Sequence, residues 1–554
     1  MKKCLFFLIL PVCLQAQTLP DTIQQKIDLV FKAYTIKTPG CAIAIIQNGI
    51  PVFQKGYGMA NLEYDIPVTP NTIFHIASES KQFTAFCILL LEKQGKLSVE
   101  DDIRKYLDFV PDFGYKITIH HLILHTSGLR DQWQLLANAG WQLDDVITQE
   151  HVIKLVSQQK ALNFPPGDEF LYCNTGYTLL AEIIKKVSGL SLRQFADQNI
   201  FKPLGMDHSH FNDDYREIVP NRAYSYFPKG NGFQNAVLSY SIVGATSLLT
   251  TVLDEVKWLD NLETGKVGGK ELVEKMKETG KLNDGRKLNY AYALSINKFN
   301  GWEQIGHGGG DAGFRTYACR FPEKKLGIVV FSNSSMADPA YLVRQVASIL
   351  IPDHKEETKP VIHPEFADSN LLKKLPGNYY SERGNLGRFV WQDGKLQARN
   401  FGFPSANDIK LSITTPYRYA LGEDGPYLIL DDRNVSGDSV MEMKIENQNN
   451  TIHYKRQPGT AQKITAEFAG RYYSPEIEAY YSITEKDGVL SLEHRKFSTV
   501  TLKNIAPDQF TSSNWWMDHL RFIRNKSGKI IAFEVNAGRI QHLRYDKLGP
   551  DKIE

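Results

Sequence analysis

A lysine follows a serine by three positions where a long apolar run begins. Ser78 and Lys81 lie in HIASESKQF, and the run TAFCILLLEKQGKL that follows predicts a helix buried on nearly all sides. Residues three apart lie on one helix face, so the amine and the hydroxyl can meet. Burial disfavours a charged lysine, and a neutral lysine is a base that can activate a serine. Ser78 is therefore a candidate nucleophile and Lys81 its candidate base.

The Ser-x-x-Lys spacing alone is weak evidence. It recurs at Ser157 and at Ser295, as chance would allow. A long lysine side chain can also carry its ammonium to the surface, which is the ordinary alternative. What separates Ser78 is its place at the start of a buried helix, where the helix dipole favours developing negative charge.

Two further stretches carry residues suited to the same chemistry. In PPGDEFLYCNTGY, Tyr172 and Asn174 project the same way from an extended loop, and a phenol near a lysine can relay a proton. In GHGGGDAGFRT, His307 offers a donor to an anion or carbonyl, and the following glycines leave a strand face bare for a ligand. Taken singly, each has an ordinary alternative: a packed tyrosine, or a glycine-rich turn with an exposed histidine.

Two other patterns favour structural roles. His121 and His125 have the i, i+4 spacing of a zinc site, but Leu122 replaces the glutamate that a zinc hydrolase needs as base. Ser127 in HTSGL resembles an alternative nucleophile, yet Ser-Gly after a helix is more often a cap or turn. We expect no metal and no cofactor.

Length and composition predict an ordinary globular protein of two or three domains. The 554 residues are 42% hydrophobic and 23% charged, and Lys+Arg 64 against Asp+Glu 62 leave a formal charge of +2. This balance gives no indication of a nucleic-acid partner.

The N-terminus MKKCLFFLILPVCLQAQ predicts a secretory signal peptide, residues 1–16, cleaved between Ala16 and Gln17. Its apolar stretch is too short to span a membrane, and no later segment reaches the ~20 apolar residues that a spanning helix needs. We therefore expect a secreted or periplasmic protein without a membrane span. A lipid anchor on Cys13 is disfavoured because Val12 is bulky where lipoprotein signals carry a small residue.

Cleavage would leave four cysteines, too few for a disulfide scaffold in a chain of this length. Buried free thiols are the expected state. One bridge between the first and the last is the alternative if their strand-like segments are neighbours. The four are Cys41, Cys87, Cys173 and Cys319.

Strand patterns at both ends of the first 350 residues, with helical segments between, predict an α/β (α+β) domain over residues 17–352. Its antiparallel sheet is completed by the two chain ends and flanked by helices, with a helical subdomain. GCAIAIIQNGIPVFQKGYG predicts a hairpin around Asn48-Gly49. A charged linker, 353–367, follows.

The remainder reads as two small all-β barrel domains, 368–459 and 460–554. LPGNYYSE is echoed by FAGRYYSPE, with Gly377 matching Gly470, and Asp393-Gly394 is echoed by Asp487-Gly488. Two anchors at nearly one spacing indicate a duplicated unit. Closure into barrels would remove exposed strand edges.

The order Ser-x-x-Lys, Tyr-x-Asn, His-x-Gly over residues 25–350 resembles the serine β-lactamase and penicillin-binding protein superfamily. HTSGL and PLGMDHSHF look similar to its class C-like branch of D-aminopeptidases, D-alanyl-D-alanine carboxypeptidases and esterases. The C-terminal units resemble the lipocalin-like barrels of D-aminopeptidase-type members, which can project a loop over the cleft. Trp515 and Trp516 could wall such a cleft, although core packing is favoured.

Carried over by position, the resemblance makes Ser78 the acylated nucleophile, Lys81 its base, Tyr172 the proton relay and Asn174 a ligand for lysine and substrate. His307 stands where many relatives have a lysine, which weakens the charge expected to hold a substrate carboxylate. The expected oxyanion hole is formed by the N–H groups of Ser78 and Gly310, and the expected substrate-binding residues also include Gly308, Gly309 and Arg315.

The resemblance implies an exported serine hydrolase that works through an acyl-enzyme on short peptides, preferably those containing D-residues, without cofactor. No counterpart of the deacylating glutamate of class A β-lactamases is found, so efficient β-lactam hydrolysis is not expected, although β-lactams are possible covalent ligands. The alternatives are an esterase on small acyl esters and a penicillin-binding protein with little turnover.

Overall fold

The structure is a computed structural model that describes residues 18–354 and 462–549 continuously. Between them it describes 373–381, 386–392, 395–399, 401, 412–415, 418–420, 426–430, 435–437, 439–446 and 451–456. The signal peptide 1–16, residues 355–367 of the linker and the Asp393-Gly394 turn lie outside the described residues. Within the described part, no helix is both long and apolar enough to cross a membrane. The domain boundaries given above stay predictions.

A six-stranded antiparallel sheet lies at the centre of the first domain. Two strands come from the start of the domain and four from its end, in the spatial order β3-β4-β5-β6-β1-β2, as the sequence predicts. Asn48 (φ 54°) and Gly49 (φ 77°) form the turn between the first two strands, where both residues need positive φ. The strands are β1 Cys41–Gln47, β2 Ile50–Tyr57, β3 Ser295–Phe299, β4 Trp302–Asp311, β5 Phe314–Phe321 and β6 Leu326–Ser332.

Helices cover both faces of this sheet because the side chains of β1 alternate. Ile43 and Ile45 pack in one cluster with Ile27 of α1 and Val343 of α11, whereas Ala44 faces the larger cluster that contains α2, α6 and α9. The helices are α1 Asp21–Val30, α2 Ser80–Lys93, α3 Ile119–Ile123, α4 Gln132–Asn138, α5 Gln149–Ser157, α6 Asn174–Ser188, α7 Leu192–Ala196, α8 Lys202–Leu204, α9 Val252–Thr264, α10 Lys270–Met276 and α11 Pro339–Leu350.

Short strands complete the first domain, and they pair in small sheets that are separate from the central one. They are Met59–Asn61, Ile66–Pro67, Phe74–His75, Ile147–Thr148, His210–Phe211, Tyr226–Lys229, Gly232–Asn235, Tyr240–Ser241 and Leu248–Thr250.

The four cysteines of the described chain are free and buried. Cys41 lies opposite Ser332 and Cys319 lies opposite Ile328, so the intervening strand β6 separates the two cysteine-bearing strands. The alternative disulfide is therefore not formed, and the thiols are packed as small apolar groups.

The second of the two C-terminal units is a closed antiparallel barrel. Its eight strands are Gly470–Ser474, Ala479–Lys486, Val489–His494, Phe497–Ala506, Gln509–Thr511, His519–Arg524, Ile530–Ala537 and Ile540–Lys547.

The first C-terminal unit is an eight-stranded antiparallel sheet whose two end strands are unpaired with each other within the described segments. Closure of this unit is thus not seen in that part of the chain. The eight strands are Gly377–Ser381, Leu386–Gln392, Lys395–Arg399, Ser412–Thr415, Arg418–Ala420, Tyr427–Ile429, Glu442–Glu446 and Thr451–Arg456, and Val435–Ser436 pairs separately with Ser439–Val440.

The internal repeat has a structural counterpart. The Tyr379 hydroxyl donates to the Leu375 carbonyl at 2.7 Å, and Tyr472 donates to the Phe468 carbonyl at 2.8 Å. Both tyrosines are fully buried at the start of their units. The same tyrosine-to-carbonyl hydrogen bond at matching positions confirms that the two units begin alike.

Candidate active site

Ser78 lies in a tight 3₁₀ turn, Ala77–Glu79, that leads directly into α2. The residue before it, Ala77, has a left-handed backbone with φ 49°, a conformation that costs a non-glycine residue about 1–2 kcal/mol. Such strain persists only where the surroundings hold it, and it is common at active sites. The turn therefore fixes the serine just before the N-terminus of α2 rather than within the helix.

Lys81 is fully buried and its amine is held by three acceptors. Nζ lies 3.0 Å from Ser78 Oγ, 2.8 Å from Asn174 Oδ1 and 2.7 Å from the carbonyl oxygen of Ala245. The predicted meeting of amine and hydroxyl is thus present in the structure. The alternative, a lysine reaching the surface, is excluded because the side chain has no exposed fraction.

Burial lowers the pKa of Lys81 to about 7. The carboxylates of Asp311 and Asp131 oppose this effect, and the guanidinium of Arg539 adds to it. An amine with a pKa near neutrality is neutral in about half of the molecules at pH 7. It can therefore accept the proton of the serine that it touches.

Asn174 begins α6, and Asp131 orients it. Oδ2 of Asp131 accepts from the Asn174 backbone N–H at 2.7 Å and from its Nδ2 at 2.8 Å, which leaves Oδ1 of the amide to face Lys81. The Asp131 carboxylate is fully buried. The amide orientation thus follows from these hydrogen bonds.

Tyr172 lies against the lysine with its ring centroid 4.9 Å from Nζ. Burial raises the pKa of the phenol, and the nearby Ser78 hydroxyl partly offsets this. The buried hydroxyl makes no hydrogen bond of ordinary geometry within the described residues. A neutral phenol with a free O–H beside the serine can donate a proton to a departing group.

His307 lies at the end of a chain of hydrogen bonds that also contains Tyr290 and His125. The Cys173 N–H donates to His125 Nδ1 at 3.1 Å, so a neutral His125 carries its proton on Nε2, which lies 3.2 Å from the Tyr290 hydroxyl. That hydroxyl lies 3.0 Å from Nε2 of His307, whose Nδ1 is 2.7 Å from the Gly308 carbonyl oxygen. Donors and acceptors match if Tyr290 donates to His307.

His125 and His307 are both neutral near pH 7. Burial and the charge of Lys81 lower the pKa of His307 to about 4, and the same two effects hold the pKa of His125 well below its usual range. His307 therefore brings no positive charge to the site.

The glycine segment of β4 has two different functions along its length. Residues after Gly306 extend past the end of β3, and Gly308 and Gly310 line the cavity beside Ser78. Gly309 does not line it: a Cβ there would lie 2.2 Å from the Ile76 carbonyl oxygen. The expected substrate-binding role of Gly309 is thus corrected to one of close packing, because its bare face lets β4 lie against the turn before Ser78.

Arg315 lines the same cavity, but one nitrogen of its guanidinium is hydrogen-bonded to the chain itself. Nη1 donates to the carbonyl oxygens of Ala312 at 3.0 Å and Phe314 at 2.6 Å. The expected substrate contact of Arg315 has no direct support in this arrangement.

The cavity at Ser78 has a volume of about 1910 Å³ and is walled by all three parts of the chain. The first β unit contributes Arg388 and Tyr427, and the second contributes Trp515 and Arg539. Trp515 is 48% exposed and lines the cavity, whereas Trp516 is buried and packs on Phe497. The two roles considered for this tryptophan pair are therefore divided between its members.

The closed barrel is attached to the catalytic domain through buried polar contacts. Arg130, in the loop before α4, forms an ion pair of 2.6 Å with Glu476, with side chains 1% and 6% exposed. Its guanidinium also donates to the carbonyl oxygens of Gln541 and His542. Nearby, Asn138 Oδ1 accepts from the Tyr545 hydroxyl at 2.9 Å.

Sequence reasoning missed four residues of this site: His125, Asp131, Tyr290 and Arg539. Both His121 and His125 were expected to be structural; His121 caps α3, and His125 also contacts the Tyr172 ring and the Tyr290 hydroxyl. The stretch HTSGLRD contains both His125 and Asp131, and its high proportion of polar residues directly after a short helix is the signal that could have indicated them. Within the described residues no cluster of three or more metal-ligating side chains is present.

Comparisons with known proteins agree with this geometry. The sequence model of the Beta-lactamase family matches residues 22–350. The chain belongs to the β-lactamase family. It is a serine hydrolase of that family, and the fold of its first domain is β-lactamase-like.

Relatives of this β-lactamase-family chain extend through the β units. It is 25% identical to a D-aminopeptidase of Cereibacter sphaeroides over 476 residues, 84% of this chain and 85% of the relative. It is also 25% identical to a D-aminopeptidase of Brucella anthropi over 535 residues, 92% and 96% of the two chains.

Two solved structures have the same fold. The octameric penicillin-binding protein homologue from Pyrococcus abyssi has a TM-score of 0.55 and 27% identity, covering 86% of this chain and 99% of its own. The D-amino acid amidase from Ochrobactrum anthropi SV3, complexed with L-phenylalanine amide, has a TM-score of 0.52 and 21% identity, covering 60% and 99%. At that identity the second likeness concerns the fold alone.

Proposed function

We propose that this β-lactamase-family enzyme is a peptidase that cleaves short peptides containing D-residues through an acyl-enzyme on Ser78. The observation that carries the proposal is the buried Lys81 amine, 3.0 Å from Ser78 Oγ, with a pKa lowered to about 7. The D-aminopeptidase relatives, which align over most of the chain, support the substrate class.

In the first half-reaction, neutral Lys81 takes the proton from Ser78 Oγ as the oxygen attacks the peptide carbonyl carbon. The N–H groups of Ser78 and Gly310 would stabilise the resulting oxyanion, a contribution of about 3 kcal/mol per donor in other acyl-transfer enzymes. The C–N bond then breaks, and Tyr172 gives its proton to the departing nitrogen and recovers one from Lys81.

In the second half-reaction, water attacks the ester carbonyl and the same lysine accepts its proton. The tetrahedral intermediate collapses, Ser78 Oγ regains a proton and the acid product leaves. Because no second carboxylate base is needed in this scheme, the rate of this step depends on how well water reaches Lys81. Slow deacylation would make the protein a long-lived penicillin binder.

The test is covalent labelling of the mature protein and a Ser78→Ala variant with a fluorescent penicillin and a fluorophosphonate, followed by intact mass over time. We expect a mass gain in the parent only, and faster cleavage of D-residue than L-residue dipeptides. Preferential turnover of small acyl esters would favour an esterase. A stable adduct with no turnover would favour a penicillin-binding protein, and equal labelling of both proteins would refute a Ser78 nucleophile.

We also propose that the protein is exported, to the periplasm or outside the cell. The support is the sequence of residues 1–16, with its two lysines, short apolar stretch and Ala16. N-terminal sequencing of the protein recovered from its source organism should begin at Gln17. A mature protein that begins at Met1 would refute the proposal.

A further inference from the structure

The turn between the last two barrel strands enters the catalytic cleft. It consists of Gly538 and Arg539, and both residues line the cavity at Ser78. The Arg539 carbonyl oxygen accepts from the Asp131 N–H at 3.3 Å and from Asn163 Nδ2 at 3.0 Å. The barrel therefore delivers an arginine to the site on a backbone that the catalytic domain holds in place.

The Arg539 guanidinium lies 4.8 Å from the ring centroid of Tyr172, and its side chain is 39% exposed. Its closest carboxylate oxygen, Oδ2 of Asp131, is 3.8 Å away, too far for a hydrogen bond. That oxygen is already used by two hydrogen bonds from Asn174. Within the described residues the five guanidinium donors make no hydrogen bond, so they are free to bind a ligand.

The other basic groups near the nucleophile are less suited to hold an anion. His307 is neutral near pH 7, and Arg315 donates to the carbonyl oxygens of its own turn. Lys81 is engaged with Ser78 and works as a neutral base. Arg539, from the barrel, therefore supplies a fixed positive charge whose guanidinium donors are all unspent within the described residues.

We propose that Arg539 binds a carboxylate on the leaving-group side of the scissile bond, so the preferred substrates are peptides with a free C-terminal carboxylate one residue beyond it. The proposal rests on the proposed acyl-enzyme function. Tyr172 is the group that protonates the departing nitrogen, and the guanidinium lies against its ring. A planar guanidinium binds a carboxylate through two parallel hydrogen bonds, which selects position as well as charge.

The competing arrangement places a substrate ammonium on Asp311, which lines the same cavity. This carboxylate accepts a hydrogen bond from Thr246, and burial raises its pKa to about 6. A substrate cation here would lie at the strand β4 side of Ser78 and would give an enzyme that requires a free amino group. The two arrangements predict opposite preferences for charge on the substrate.

The test compares an N-acyl-D-Ala-D-Ala peptide with its C-terminal amide, using kcat/KM for both at one pH. The ratio of the two values is the readout, because an effect of Arg539 on the pKa of Lys81 cancels in it. We expect the parent to favour the carboxylate, and Arg539→Gln to lower the ratio about 10- to 100-fold, the range of a lost charge-assisted hydrogen bond. Arg539→Lys should recover part of it.

The matched control is Arg388→Gln, which removes an arginine that lines the same cavity from the first β unit. It should retain the parent ratio. A parent ratio near one, an unchanged ratio in Arg539→Gln, or an equal loss in Arg388→Gln would overturn the proposal. A preference for free-amine D-Ala amides would assign recognition to Asp311 instead.

Labelling of Ser78 by a fluorophosphonate separates this proposal from the function on which it rests. If Ser78 is labelled and neither peptide is hydrolysed, or both are hydrolysed alike, the Arg539 proposal alone fails. If Ser78 is not labelled, the acyl-enzyme function fails first. Denaturation curves of Arg539→Gln and Arg539→Lys show whether either variant has lost the fold. If Arg539→Gln has lost it, Arg539→Lys, which keeps the positive charge, is the variant to compare with the parent.

Discussion

The acylation rate of Ser78 should rise with pH along a limb whose midpoint is near 7. The base must be neutral to accept the serine proton, and burial lowers the pKa of Lys81 to about 7. The neutral fraction is then about 9% at pH 6 and about 91% at pH 8, a tenfold change in rate. An unperturbed lysine with a pKa of about 10.4 would be only about 0.4% neutral at pH 8.

The perturbation that tests the cause is Asp311→Asn. The Asp311 carboxylate raises the pKa of Lys81 against the larger effect of burial, so removing its charge should move the limb to lower pH. Asp311 has its own pKa near 6 through burial, and the variant also removes that titration from the profile. Asparagine keeps the size of the side chain and an acceptor for Thr246.

The assay is the second-order rate of fluorophosphonate labelling between pH 5 and 9, corrected for reaction of the probe with buffer. Asp260→Asn, a carboxylate of α9 outside this cavity, is the control and should leave the midpoint in place. A rate that is flat from pH 6 to 8, a midpoint near 10, or a shift to higher pH in Asp311→Asn would refute the reasoning.

Three further changes test the fold that holds the site. Arg130→Ala should lower the free energy of unfolding by about 3–5 kcal/mol in a denaturant titration, because it leaves the Glu476 carboxylate buried without its cationic partner. Gly309→Ala should slow Ser78 labelling about 100-fold, since its Cβ would force β4 away from the nucleophile turn. Glu255→Gln should flatten the fall of stability with pH. Burial raises the pKa of Glu255 to about 8, so between about pH 4.5 and 8 the unfolded chain releases this proton more readily than the folded chain. The free energy of unfolding therefore falls as pH rises, by up to about 1.4 kcal/mol per pH unit.

Each of these changes has a contrasting outcome. A loss below about 1 kcal/mol in Arg130→Ala would mean that the barrel is not held by this ion pair. Gly232→Ala, at an exposed hairpin with room for a Cβ, is the control for Gly309→Ala, and equal labelling of all three proteins would contradict the packing argument. Parallel pH profiles of stability for the parent and Glu255→Gln would show that this carboxyl ionises without cost.

Local sequence was enough to predict the contact between Ser78 and Lys81 and the central sheet. The hairpin of β1 and β2 follows from alternation around Asn48-Gly49, and the burial of Lys81 follows from the apolar run in which it lies. Both signals are local in sequence: an alternation in two adjacent strands, and an unbroken apolar run in one helix. The family match confirms the fold that these patterns and the recognised motifs indicated.

The rest of the site depends on contacts between distant parts of the chain, which carry no local signal. Tyr290 is 165 residues from His125 in sequence and touches it only in the folded protein. Arg539 follows a glycine in a two-residue hairpin turn, and nothing in that local sequence indicates which distant residues the turn contacts. Gly309 was assigned to substrate binding because a bare strand face has the same sequence signal whether a ligand or the chain's own backbone packs on it.

The barrel therefore belongs to the active site rather than being an independent appendage. The barrel offers a hairpin turn whose backbone is hydrogen-bonded to Asp131 and Asn163, and the ion pair of Arg130 with Glu476 also attaches the barrel to the first domain. If Arg539 selects a substrate carboxylate as proposed, a change of that one turn residue would change the charge preference and leave Ser78 and Lys81 unaltered.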